Sequence, residues 1–183
     1  MNIVNTKVFN FEGALRGMRN PLNSWEKSDS TYDDYNNYII GPKDLDLAQR
    51  LIRGGPEHRK FLRQILVSVD ITAPLYWWKE FDTYKIGTTA NSTSTMHKLT
   101  SSPITLKCFE TDDINLGAIE EIETGSPNNF VTNLIYALED LRQKYLETKD
   151  KKYWKELVRW LPNGWLQTRT WTANYEVLLN IYH

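Results

Sequence analysis

The chain has 183 residues, with 22 Lys plus Arg against 23 Asp plus Glu and a formal net charge of -1. That near-neutral balance argues against a general nucleic-acid binder, and 13% aromatic residues argue against disorder. A single cysteine, Cys108, excludes an internal disulfide and reads as a small buried hydrophobe between Leu106 and Phe109; with only three histidines beside it, a structural zinc site is not expected. Met1 to Asn10 lacks the apolar run of a signal peptide, and no stretch approaches the ~20 apolar residues of a membrane span. The expectation is a cytoplasmic protein of one domain over 1–183, with no membrane partner and no nucleic acid.

Residues 1–42 read as loop-rich, with turn chemistry from Met18 to Trp25 and polar residues interleaved with tyrosines from Asp29 to Asn37. Asp44 is placed to cap a first helix whose apolar face is Leu45, Leu47, Ala48, Leu51 and Ile52, ended by Gly54-Gly55. Pro56 suits the start of another helix, with Glu57 at its positive end. Ile65, Val67, Val69 and Ile71 recur with period two and predict a strand. Pro74 opens an aromatic block, helical to about Tyr84. The Thr/Ser run after Gly87 reads as loop or extended chain. Residues 98–128 read as a peripheral elaboration, broken by Pro103, Gly125 and Pro127. A long helix is predicted from about Asn129, with Val131, Leu134, Ile135, Leu138, Leu141 and Tyr145 on one face. Another spans Lys151 to Trp160, Pro162-Asn163-Gly164 turns the chain, and a last helix begins near Thr172. That helix reaches His183 without a stop signal, which predicts a further C-terminal segment.

Three groups of residues carry chemistry. Glu57-His58 is either a capped helix start with a surface histidine, or a carboxylate and imidazole turned into a cleft by Gly54-Gly55-Pro56. The block Tyr76-Trp77-Trp78-Lys79-Glu80-Phe81-Asp82 mixes rings with charges; it reads as a solvated helix face, or as a wall that stacks a flat ligand. The run Asn91-Ser92-Thr93-Ser94-Thr95-Met96-His97 offers hydroxyls and amides that would orient a polar heterocycle, or is a polar loop.

In this order the blocks resemble the flavin-dependent thymidylate synthase family. Glu57-His58 matches that family's Glu-His, and Lys79 to Lys85 overlays its R-Q-x-x-R-H-R. With one inserted residue, Asn91 to His97 overlays N-E-x-S-x-R-Y, and Leu161-Pro162 with Asn174 and Asn180 fits the late L-P and T-x-N-x-R-S-L. The likeness spans roughly residues 44–97 and 129–183. Thr83-Tyr84-Lys85 stands where the family has R-H-R, Met96 and Glu176 stand where it has arginines, and Arg53, Arg59, Arg63, Arg159 and Arg169 are the candidates to replace them.

The resemblance implies an α+β fold of several helices packed on a small, mostly antiparallel sheet. It implies a homotetramer that binds FAD and reductively methylates dUMP, or another pyrimidine nucleotide, using methylenetetrahydrofolate and NADPH. Glu57, His58, Ile86, Asn174 and Asn180 would then contact FAD; Lys85, Glu80 and Ser94 would serve catalysis; Asn91, Ser92, Ser94 and Arg159 would hold the nucleotide. Two further readings stay open: a non-catalytic flavin- or nucleotide-binding module on the same scaffold, and an oligomeric interaction protein with the aromatic block at its interface.

Overall fold

A computed structural model describes residues 1–112 and 130–183. The described residues form an α+β fold with seven α-helices, a four-stranded sheet in the order β1-β4-β6-β5 and a two-stranded antiparallel ribbon, β2-β3. The strands are β1 Asn2–Phe9, β2 Thr31–Tyr32, β3 Tyr38–Ile39, β4 Leu66–Pro74, β5 Thr88–Ser92 and β6 Leu166–Asn174. The helices are α1 Phe11–Met18, α2 Pro42–Arg53, α3 Leu75–Phe81, α4 Thr95–Lys98, α5 Phe130–Thr148, α6 Lys151–Arg159 and α7 Tyr175–Tyr182. None of the described helices is long and apolar enough to cross a membrane.

The chain divides into two compact units. The first comprises Met1–Asn2, Ile71–Thr83 and Asn91–Arg169; the second comprises Ile3–Asp70, Tyr84–Ala90 and Thr170–His183. In the first, Leu99, Ile104, Leu138 and Leu157 form a core at 3% exposure or less. Glu139 ties the Thr100–Ile104 connection to α5: it accepts from Ile104 N–H at 2.7 Å and from Arg142, whose Nη1 donates to Thr100 O. In the second unit the core is Ala14, Leu15, Met18, Ala48, Phe61, Leu62 and Ile65.

Strand β4 follows its predicted alternation, with Val67, Val69, Ile71 and Ala73 buried. Its other face is polar and satisfied: Asp70 accepts from Asn5 and Thr170, and the Thr72 and Thr168 hydroxyls share a hydrogen bond of 2.7 Å.

Four local expectations are corrected. Residues 1–42 are not loop-rich: they hold β1, α1 and the ribbon. Every residue of β1 is exposed, so no burial alternation marks it in the sequence. In α1, Gly13 and Gly17 lower helix propensity, but a Cβ at Gly13 would lie 2.2 Å from Asn10 Oδ1. The second correction concerns α2, which starts at Pro42, so Asp44 sits inside the first turn and caps nothing. Asp29 supplies the cap from outside, accepting from the Lys43 and Asp44 N–H groups. Third, Pro56–His58 is a turn, and a short 3₁₀ helix follows over Lys60–Gln64. Fourth, the last helix begins at Tyr175, because Leu166–Asn174 is strand β6 with Gln167, Trp171 and Ala173 buried. The predicted elaboration over 98–128 falls partly outside the described residues. Cys108 is half-buried, with its thiol directed at Pro103 O.

Candidate functional site

In the second unit, α2 ends at Gly54, and Gly55 takes the left-handed conformation at φ +101°. His58 and Arg59 N–H groups both donate to Gly55 O, which fixes the turn that carries Glu57 and His58. The 3₁₀ helix then turns Phe61 and Leu62 inward, each 5% exposed. Lys60, Arg63 and Gln64 stand in the wall of a cavity of about 640 Å³, together with Glu57 and His58. Met18, Leu47 and Leu51 give that cavity an apolar interior. Gly17 lies against the Gln64 side chain, where a Cβ would come within 2.8 Å of Oε1 and move that amide.

One edge of the cavity is a buried ionic cluster. Arg19, 5% exposed, donates from Nε to Asp44 Oδ1 at 2.6 Å and from Nη1 to Ser24 O. Asp44, fully buried, also accepts from the Ser28 and Ser30 hydroxyls and from the Asp29 and Ser30 N–H groups. Burial alone would push the Asp44 carboxyl up; the bonds from Ser28, Ser30 and Arg19 outweigh it and hold it at about 2. Asp29 and Asp44 thus each donate a backbone N–H to the other's carboxylate, locking the 28–30 segment to the start of α2. A Cβ at Gly41 would lie 2.3 Å from Asp29 Oδ1, so glycine is required for that approach.

Four further predicted residues belong to this unit's last helix, its cap and the loop before β5. Asn174 caps α7, accepting from Val177 N–H at 3.0 Å. Gly87 packs beside it at φ +74°, where a Cβ would lie 3.1 Å from Val177 and 3.4 Å from Asn174 Nδ2. Asn180 accepts from Arg59 Nη2 at 3.3 Å. Arg63 donates through Nε and Nη2 to the two carboxylate oxygens of Glu176, and Arg59 Nε lies 3.5 Å from the same carboxylate. Lys85 is exposed and Ile86 is 92% exposed.

The remaining predicted residues belong to the first unit. The aromatic block is largely satisfied from within. Trp78 is 1% exposed, donates its indole N–H to Gln167 O at 2.9 Å and carries the Arg169 guanidinium over its ring at 4.2 Å. Arg169 also donates to Asp82, and Trp77 stacks on Phe81 at 4.4 Å. Glu80 is exposed on α3, and Asn91 and Ser92 are exposed on β5. Ser94 caps α4, accepting from His97 N–H, with its hydroxyl 2.9 Å from His97 Nδ1. Arg159 pairs with Glu156. Among the arginines proposed as replacements, Arg59, Arg63, Arg159 and Arg169 are each held by a carboxylate. Among the described residues no group of three His, Cys, Asp or Glu side chains is arranged to hold a metal ion.

Arg19, Asp44, Lys60 and Glu176 join the cavity or its supports without having been singled out as site residues. The signals in the sequence are Asp44, read there as a helix cap, and Glu176, an acid where the resembling family has an arginine.

No family model matches the chain, and no curated protein matches it by sequence. Solved structures do. The flavin-dependent thymidylate synthase ThyX from Helicobacter pylori, complexed with FAD and dUMP, matches over 98% of this chain and 82% of its own. The identity is 20% and the TM-score 0.63. A second structure of that enzyme with FAD and dUMP gives a TM-score of 0.65 at 20% identity, over 98% and 81% of the two chains. The UMP/dUMP methylase PolB from Streptomyces cacaoi, bound with 5-Br UMP, gives 0.56 at 10% identity, over 98% and 75%. The chain therefore has the fold of flavin-dependent thymidylate synthases, as its motif order implied.

Proposed function

We propose that this protein is a thymidylate synthase-like flavoprotein that binds FAD and a pyrimidine nucleotide and reductively methylates dUMP. What supports the reading is one coincidence. The chain matches proteins solved with FAD and dUMP over 98% of its length, and its Glu57-His58 pair lines a cavity of about 640 Å³. That volume lies in the range of cofactor sites. The residues present fit such a group: an apolar interior of Met18, Leu47, Leu51 and Phe61 suits a ring system, and Lys60 and Arg63 suit phosphate.

FAD, when bound, would supply the redox chemistry. The chain's residues bind, orient and exclude water. In this reading Glu57 and His58 contact the flavin from the cavity wall, with Ile86, Asn174 and Asn180 as further contacts. Asn91, Ser92, Ser94 and Arg159 hold the nucleotide, and Lys85, Glu80 and Ser94 serve the reaction. Methylenetetrahydrofolate and NADPH are the co-substrates, and the assembly is a homotetramer located in the cytoplasm.

The test is a titration of the purified full-length protein with FAD, followed by dUMP. Saturable FAD binding with a dUMP-dependent change in the flavin spectrum is expected; a protein that ignores FAD sinks the reading. A second reading, binding without turnover, is favoured by one observation. The segment matching R-H-R holds a single cation, Lys85, and four of the five arginines that would replace the others, Arg59, Arg63, Arg159 and Arg169, are engaged with Glu156, Glu176 and Asp82. FAD and dUMP binding with no methyl transfer would select it.

A further inference from the structure

The cavity wall carries Lys60 and Arg63 beside Glu57, and Arg63 is paired with Glu176. Lys60 and Arg63, one turn apart on the 3₁₀ helix, line the cavity, and the largely buried Phe61 between them contributes to the same wall. Arg63 is half exposed but fixed, since Nε and Nη2 donate to both oxygens of Glu176, a side chain only 14% exposed. A guanidinium has five donors; this fork uses one hydrogen of Nε and one of Nη2, and among the described residues none accepts from Nη1. Arg59 backs the same carboxylate from 3.5 Å and is itself held by Asn180. Two arginines thus share one carboxylate, and Lys60 adds a third cation to the segment that holds Glu57. The hydrogen bond with Arg63 holds the Glu176 carboxyl below its usual range and raises the Arg63 guanidinium, so the pair stays charged.

We propose that this cavity is a phosphate-ester site, in which Arg63 is the anion-recognising residue, Glu176 its positioning residue and Lys60 a second cation, with the ring of the ligand against Leu47, Leu51 and Phe61. The proposal rests on the flavin and nucleotide reading above and adds which end of the ligand meets which wall. A guanidinium already fixed by a carboxylate loses little side-chain entropy when a phosphate arrives. It presents donors at fixed angles, which suits phosphate oxygens better than a mobile ammonium does.

The experiment compares ligands that differ only in phosphate: FAD against riboflavin, and dUMP against deoxyuridine, each titrated onto the full-length protein by calorimetry. The expected result is that Arg63→Gln weakens the phosphate-bearing member of a pair roughly tenfold and leaves its phosphate-free partner unchanged. Arg63→Lys recovers part of the loss, because it restores charge without the fork. Glu176→Gln weakens the phosphate-bearing member about threefold, again without moving its partner. The pair that responds identifies the phosphate as the flavin's or the nucleotide's. Wild-type binding of FAD or dUMP that neither Arg63 variant alters overturns the proposal and leaves the functional reading standing. A loss shared equally by both members of a pair also overturns it, as general damage. No binding of any of the four ligands by the wild type removes the proposal and the functional reading together.

Discussion

Two stretches of this chain mix rings with charges at short spacing, Glu57 to Gln64 and Tyr76 to Lys85, and the structure uses them in opposite ways. In the second, the rings and charges answer one another: Arg169 lies over Trp78 and pairs with Asp82, and Trp77 stacks on Phe81. In the first, Phe61 and Leu62 are consumed by the core while Glu57, His58, Lys60 and Arg63 are left in the wall of a cavity. The lesson is that a composition suited to ligand stacking is equally suited to self-stacking. What separates the cases is whether a guanidinium from elsewhere in the chain reaches the ring face first. The carboxylate-bearing turn looked the plainer stretch, and it is the one with unspent hydrogen-bonding capacity.

The largest expected effect tests the self-satisfied stretch. Trp78→Ala removes a side chain that is 1% exposed, together with its bond to Gln167 O and its contact with Arg169. It should destabilise the protein by about 4 kcal/mol, read by urea unfolding. A change below about 1 kcal/mol would mean that the ring is not core and would return the aromatic block to the list of ligand walls.

The comparison also explains which parts of the structure were legible. Strand β4 announced itself because one face is buried and its apolar residues therefore alternate. Strand β6 has the same alternation at Trp171 and Ala173, but the polar residues between them blurred it into a helix start. Strand β1 has no buried face and so left no trace. At the site, Glu57 and His58 were legible because they are adjacent in sequence. The Arg63–Glu176 fork spans 113 positions and the Arg19–Asp44 pair spans 25. No local pattern encodes either pairing: Arg63 reads as a candidate substitute arginine, Glu176 as an acid in an arginine's place and Asp44 as a helix cap, and nothing in the sequence joins each to its partner.

The next effects concern the edge of the cavity. Asp44→Asn leaves the Arg19 guanidinium buried beside an uncharged amide and should cost about 3 kcal/mol. A loss of less than about 1 kcal/mol in urea unfolding would show that the Ser28, Ser30 and Asp29 bonds hold the segment without the charge. Acid sharpens the same point. Asp44 is held at about 2 because the bonds from Ser28, Ser30 and Arg19 overcome burial, and Glu139 at about 2 chiefly by its bond from Arg142. Both folded values lie below the unfolded carboxylate range. The stability they contribute, roughly 2 kcal/mol each, is therefore present above about pH 4 and lost as the pH falls toward 2. Unfolding free energies measured from pH 5 to 2 should decline across that window in the wild type. In Asp44→Asn the decline should be shallower, and an unchanged slope would mean that Asp44 does not carry the acid sensitivity.

The smallest stability effect is expected where the ligand effect is largest. Arg63 is 53% exposed, so solvent screens its charge in the pair with Glu176 and the fold depends on it little. Arg63→Gln should shift the melting midpoint by no more than about 2 °C, in contrast to Trp78→Ala. If the two stretches differ as described, a buried ring carries stability and no ligand, while an exposed guanidinium carries ligand affinity and no stability. A large drop in melting temperature for Arg63→Gln would erase that distinction. It would make the Arg59–Arg63–Glu176 cluster a structural tie between the 3₁₀ helix and α7, comparable to the Arg19–Asp44 pair on the other edge of the cavity.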